Sequence, residues 1–544
     1  MKNSCQFLVA MTACTVFSLT MSESVMAASF YSITDLGSTL GGNVYLNDAG
    51  QVLFHSQTDS GDNRAIFWSQ SSGRLDLGTL DGNLVWADGM NEAGQVFGSA
   101  TTASGASHAF FWSQSSGMRD LTLDGGEWSY VRAMNAAGQV FGYSTTANGV
   151  SHPFLWSESG GMRDFGSYYF DFHDMNNGGQ VVGTASISNK GWQAVFWSEP
   201  TGMVDLGSLL PELVPWNPNN YRLSSSSKAT YISEAGKVLG ARQVSMSIPC
   251  GYYSPGGQIR YCYVTTFPDE TFFWSESEGM SELNTLDGER IQATSMNDAG
   301  QVTGTMRLPG GIRQAFFWSE SKGFVPLGTL GGYDSYPVLL TDDGYVLGQS
   351  RIANEDSHYF LWSDRMGMVD LGSTNNNWTD IFIPPRNGKV IGFSVVPNTP
   401  YRDIHSFFWS ETTGRVDLGT LGGNQTWADA FNDAGQVIGR SIVANGENHP
   451  FVWENGVISD LNSLIAPNSG WVLSNAYRIN KLVQILGTGY INGQQHAFLL
   501  MPTSPPPPPS SVPEPSSTLS LLTFGAFSTG ALWQRKRQQK TAAN

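Results

Sequence analysis

Six of the eight histidines recur at one place in a repeating pattern. His108, His152, His358, His405, His449 and His496 each stand four residues before a position that is usually tryptophan. Imidazoles in that number could bind metal ions or relay protons. They could equally be a repeat consensus in which each ring hydrogen-bonds a neighbouring turn. Each copy carries only one, and equivalent positions in successive copies lie far apart, so they cannot share one ion. The structural role is the reading adopted. Asp48, Asp298, Asp343 and Asp433 fall in short turns with one or two acids each, whereas a calcium loop needs several carboxylates at alternate positions. The denser Asp171-Phe172-His173-Asp174-Met175-Asn176 falls in the usual strand and turn of its copy. No Gly-x-Ser-x-Gly, His-Glu-x-x-His or Gly-x-x-x-x-Gly-Lys pattern occurs. No metal and no cofactor is therefore expected, and no catalytic residue is assigned.

Two features break the pattern. Cys250 and Cys262 are the only cysteines outside the first 28 residues, and they enclose a short loop. In an exported chain such a pair reads as a disulfide, worth about 3 kcal/mol by loop-closure entropy. The same region carries insertions with Trp216, Tyr221, Tyr252, Tyr253, Tyr261 and Tyr263. Aromatic rings on a pinned loop could stack on sugar rings or on a protein partner, which makes them a candidate ligand-binding loop. Surface loops also simply tolerate insertion, and that is the plainer reading.

The elements that position these groups come from internal repetition. The glycine of an Asn-Asp-Ala-Gly-Gln-Val element recurs at Gly50, Gly94, Gly138, Gly179, Gly236, Gly300, Gly344, Gly388 and Gly435. A tryptophan follows, usually 18 residues later; in the fifth copy the spacing is 38. A tenth, weaker copy ends near Leu500, and the basic period is 44 residues. Within a copy, turn glycines separate four short runs of alternating or aromatic residues, which predicts four antiparallel strands. Such a unit cannot bury both faces alone. Stacking copies radially predicts an all-β β-propeller of about ten four-stranded antiparallel repeats. Residues 31–37, Tyr-Ser-Ile-Thr-Asp-Leu-Gly, match the fourth strand of a repeat, and the last copy lacks one. The N-terminal strand is thus expected to complete the last blade and close the ring. Ten copies allow one ring of ten or two of five.

Of the 544 residues 14% are charged, and there are 62 Gly, 30 Phe, 19 Tyr and 17 Trp. That mix excludes disorder and helical bundles. The net charge of −17 repels phosphate backbones, so no nucleic-acid partner is expected. Lys2, an apolar run and Met26-Ala27-Ala28 read as a signal peptide over residues 1–28. The body spans 29–501. A Pro-rich linker with Pro513, Glu514 and Pro515 fills 502–515, and an apolar segment with a basic end fills 516–544. A helical segment is expected at each end, with membrane contact only through the C-terminal one before processing. Losing the tail removes four basic residues, and Lys2 cancels Glu23, which takes −17 to −21.

Two resemblances follow from these residues. The ordered Pro-Glu-Pro element, apolar segment and Arg535-Lys536-Arg537 cluster resemble the PEP-CTERM sorting signal, which implies an exosortase-type sorting enzyme as partner. Residues 107–113 (SHAFFWS), 151–157 (SHPFLWS), 417–423 (DLGTLGG) and 432–437 (NDAGQV) resemble HAF repeats of exported bacterial proteins. That resemblance implies extracellular placement and no activity. The expected function is a non-catalytic cell-surface or matrix propeller that binds envelope polysaccharide or a surface protein. A polysaccharide lyase or hydrolase on the same scaffold is the alternative.

Overall fold

The structure is a computed structural model. It describes residues 31–39, 44–167, 169–188, 190–209, 222–253, 259–266, 270–283, 291–373, 379–396, 399 and 403–503. The signal, linker and tail readings, Pro513, Glu514 and Pro515 among them, lie outside the described residues.

The fold is all-β. Forty-one strands and two short 3-10 turns are the elements of the described residues, and the strands form a β-propeller of consecutive antiparallel sheets. Seven sheets have four strands, one has five, and one run of eight is two four-stranded units. A single parallel bridge, Ile404 to Gln425, joins those two units. Ten blades result, numbered here from the one that opens at Tyr45 to the one that opens at Trp471. Blade 2 shows the pattern: Asp81–Met90, Val96–Thr102, Ser107–Ser113 and Gly117–Asp120.

Each pair of neighbouring blades shares its own apolar cluster. Between blades 1 and 2 it holds Leu53 and Phe67 on one side and Val85, Val96 and Trp112 on the other. The repeat tryptophan is the main joint. Its ring sits against the phenylalanine of the preceding blade in Phe67–Trp112, Phe111–Trp156 and Phe196–Trp274, with centroids 5.0, 4.6 and 4.7 Å apart. Aromatic pairs at that separation add to area burial, so one residue per copy ties two blades together.

The Asn-x-x-Gly-Gln turn is a second joint. In blade 1 the Asn47 amide donates to Gln51 Oε1 at 2.7 Å and to the Asn91 carbonyl of blade 2 at 3.3 Å. Asn135, Asn176, Asn297 and Asn432 make the same two bonds. The turn glycine has φ near +75° (Gly94), and the Gln51 carboxamide of the preceding blade occupies the place a Cβ would take. Only glycine meets both conditions.

Residues Tyr31–Ser38 pair antiparallel with Gln494–Pro502, from Tyr31↔Pro502 to Ser38↔His496. One cluster contains Leu36, Leu486, Ala497 and Leu499 together with Val52, Phe54, Ile66 and Trp68 of blade 1. Asn480 of blade 10 donates to the Asn47 carbonyl of blade 1 at 3.0 Å.

Candidate functional site

The repeat histidines all do one thing. His108, His152, His358 and His405 contact, through Nδ1, an aspartate 12 residues on, at 2.8 to 3.0 Å: Asp120, Asp164, Asp370 and Asp417. His449 contacts Asp460 at 2.6 Å, 11 residues on. Each aspartate also accepts the N–H two residues later, as Asp164 does from Gly166. The imidazole thus braces the neighbouring aspartate turn of its own blade. His496 reaches Asp35 on the N-terminal strand at 2.9 Å. Where arginine or glutamine replaces the histidine, the aspartate is kept in two blades and lost in one. Arg64 lies 3.7 Å from Asp76, Asp205 in the blade of Gln193 pairs with Lys190 at 2.9 Å, and Gln314 stands opposite a strand with Pro326 in the aspartate's place. Among the described residues no three His, Cys, Asp or Glu side chains are grouped to hold a metal ion. The turn acids are tied into the scaffold as well. Asp48 accepts the Lys481 N–H at 3.2 Å and its ammonium at 2.7 Å, and Asp433 pairs with Arg386 at 2.6 Å.

Of the loop aromatics expected to bind, Trp216 and Tyr221 lie outside the described residues. Tyr252 and Tyr253 stand on Val238–Tyr253, and Tyr261 on Ile259–Thr266, two strands that pair antiparallel. Their side chains, and those of Cys250 and Cys262, lie outside the described residues.

One cleft is not supplied by the repeat consensus. It opens between blade 4 (Phe170–Met175, Val181–Ile187, Gly191–Ser198) and blade 5 (Arg222–Ile232, Val238–Tyr253). Its volume is ≈ 430 Å³, and Asp171, His173, Trp192, Ser226, Lys228 and Gln243 are on its wall. Pockets of this size take small molecules when a few polar groups converge on an apolar surface.

A backbone irregularity aims these side chains. In most blades the first and second strands slip register at an equivalent point, after Ala87, Val131, Phe172, Ala229, Ala293, Pro337 and Ala428. Such bulges bend a strand and re-aim a side chain. The residue just before each bulge pair varies: Trp86, Tyr130, Asp171, Lys228, Gln292, Tyr336 and Trp427. The residue after it faces a glycine, as Ala87 faces Gly98 and Phe172 faces Gly183, because the carbonyl oxygen of Trp86 or Asp171 lies where a Cβ would be. The consensus therefore holds the backbone and leaves one side chain free to vary in each of these seven blades, exposed in all but the half-buried Trp427.

His173 is the bulged residue of blade 4. Its Nδ1 donates to the Ala229 carbonyl of blade 5 at 2.6 Å, so that nitrogen carries the proton. Its Nε2 lies 3.5 Å from Asp171 Oδ2. Asp171 is exposed, Trp192 is 48% exposed, and Lys228 is exposed with no ion pair among the described residues. Ser227 is occupied otherwise: its Oγ accepts the Ala194 N–H at 2.9 Å and bonds Gln193 at 3.1 Å. Below the cleft, burial raises the pKa of Asp174 above the usual carboxylate value, although the N–H groups of Ile232 and Met175 oppose the shift. The arrangement offers one ammonium, one carboxylate, one imidazole and an indole face. Sequence reasoning saw Asp171 and His173 and assigned them to a strand. The signal it left unused is that Trp86, Trp128, Trp192 and Trp427 stand off the repeat position.

No family model matches the chain, and no curated protein matches it in sequence. Similar solved structures are propellers. The β-propeller domain of the Trilobed protease from Pyrococcus furiosus is 10% identical, with TM-score 0.27, over 64% of this chain and 99% of that one. Porphyromonas gingivalis dipeptidyl peptidase 4 is 9% identical, with TM-score 0.37, over 84% of this chain and 64% of that one. Pyrococcus horikoshii acylaminoacyl peptidase is 9% identical, with TM-score 0.27, over 69% and 59%. These similar propellers belong to peptidases. They overturn the expectation of a non-catalytic surface or matrix propeller, with a polysaccharide lyase or hydrolase as its alternative, and that expectation is withdrawn. At these TM-scores the likeness carries nothing further about this chain.

Proposed function

We propose that the protein is a recognition propeller whose site is the cleft between blades 4 and 5, and that its ligand is a short peptide or similar zwitterion. The observation that carries this reading is the placement of an ammonium with no ion pair among the described residues, Lys228, and a carboxylate, Asp171, on one ≈ 430 Å³ cleft with the Trp192 indole. A ligand carboxylate meets Lys228, its ammonium meets Asp171, and an apolar side chain covers Trp192. His173 stays fixed by its bond to blade 5 and presents Nε2 to the same space.

The scaffold of this reading is a single closed ring of ten blades. The pairing of Tyr31–Ser38 with the last blade and the apolar cluster shared by blades 10 and 1 support it. Export, membership of the HAF-repeat group and an exosortase-type partner for the Pro513-Glu514-Pro515 tail belong to the same proposal. They rest on the sequence motifs alone, as does envelope polysaccharide or a surface protein as a further partner.

Calorimetric titration with an apolar dipeptide tests the cleft. A charge-assisted bond is worth about 1.5–3 kcal/mol. Lys228→Met and Asp171→Asn should therefore each weaken binding about tenfold or more. Absence of binding by the wild type, or binding by either variant as tight as that of the wild type, rejects the assignment.

A further inference from the structure

Aromatic side chains of this protein divide into two sets. The repeat tryptophans are core: Trp68, Trp112, Trp197, Trp274, Trp362, Trp409 and Trp453 are between 4% and 8% exposed. Trp86, Trp128, Tyr130 and Tyr169 are 43%, 40%, 46% and 79% exposed. These four lie on or next to the first strands of blades 2, 3 and 4. Trp86 packs on His55 of blade 1 with centroids 5.2 Å apart, but the fold does not require a ring at this place, since other blades carry Lys228 or Gln292 in register with Trp86 and Tyr130.

The exposed set forms a continuous surface at its blade 3 end. Trp128 and Tyr130 stack with centroids 5.9 Å apart and planes 16° apart, and Tyr130 stacks on Tyr143 at 5.2 Å and 24°. Tyr143 crosses into blade 4. Its hydroxyl donates to the Phe170 carbonyl at 2.9 Å and accepts the Phe172 N–H at 3.1 Å. Those two residues flank Asp171, so the ring surface runs into the cleft wall. The pKa of Tyr130 is raised by burial first, with Asp171 adding to it against Arg132, which agrees with that proximity.

Resting on the cleft reading, we infer that the aromatic face of blades 2 to 4 continues the site and receives the N-terminal side of an extended peptide whose C-terminal carboxylate sits on Lys228. Lys228 lies on the blade 5 side of the cleft and the rings lie beyond Asp171 on the other side, which sets the direction. In a longer ligand a backbone N–H replaces the ammonium at Asp171, and apolar side chains lie on Tyr169, Tyr130 and Trp128. A neutral oligosaccharide would also stack on rings, but it would leave the ammonium without a partner.

The test uses a dipeptide and an aromatic-rich peptide of about six residues, roughly 20 Å when extended at about 3.3 Å per residue. Binding to the wild type and to a Trp128→Ala, Tyr130→Ala double variant is measured by calorimetry. The longer peptide should bind about tenfold more tightly, and the double variant should lose that gain while holding the dipeptide within about twofold. C-terminal amidation should weaken both peptides, and N-acetylation only the dipeptide. Retained dipeptide affinity also shows that the variant is folded. A dipeptide that binds with no gain from length, or a gain untouched by the double variant, overturns the extended face alone. The same holds if a neutral oligosaccharide displaces the longer peptide. A dipeptide that does not bind overturns the cleft reading and this inference together.

Discussion

In blade 8 the histidine of the repeat is a brace whose strength follows pH. The hydrogen bond to Asp417 raises the pKa of His405, against an opposing pull from burial. Burial pushes the Asp417 carboxyl up, but bonds from His405 and the Gly419 N–H outweigh it and hold the group below its usual range. A raised histidine adds stability that is complete below its ordinary pKa of about 6.5 and fades as pH rises past the folded value. A lowered aspartate adds stability that is complete above about 3.9 and fades as pH falls. The pair thus contributes most between about pH 4 and 6.5. The melting-temperature difference between wild type and His405→Gln should be largest near pH 5 and shrink toward pH 8. A difference that grows with pH would contradict this account. The pair itself was not legible in the sequence. The spacing of 12 was visible, but only antiparallel pairing of the third and fourth strands, Phe407↔Asp417 for example, puts those residues side by side.

At the scale of the strand and turn, backbone demands select residues. Gly94 needs a left-handed φ and also leaves room for the Gln51 carboxamide of blade 1. Gly94→Ala should cost about 2 kcal/mol from the backbone alone, read as a lower denaturant midpoint. Trp112 is 5% exposed and packs on Phe67 across the blade junction. Trp112→Ala should cost about 3–5 kcal/mol, and a change below about 1 kcal/mol would show that the junction does not depend on that ring. The turn glycine and the tryptophan are visible because each copy repeats the same demand. The bulge is not, since an extra residue in a strand leaves no composition signal; its trace is the second-strand glycine at Gly98, Gly142 and Gly183.

For the whole molecule the N-terminal strand is decisive. Tyr31–Ser38 supplies Leu36 to the cluster shared by blades 10 and 1, and Asp35 to His496. A chain that begins at residue 44 should unfold at a clearly lower denaturant midpoint, and a synthetic peptide of residues 31–38 should restore part of the loss. An unchanged midpoint would show that this strand does not hold the last blade. Strand count and blade period could both be read from the chain, because each is set by local turn chemistry repeated ten times. The cleft of blades 4 and 5 could not. Asp171, Lys228 and Trp192 come from different strands of two blades, and their meeting depends on how adjacent sheets pack and where the bulge turns each side chain. Local propensity dictated the modules; the packing of one module on the next decided which side chains share a space.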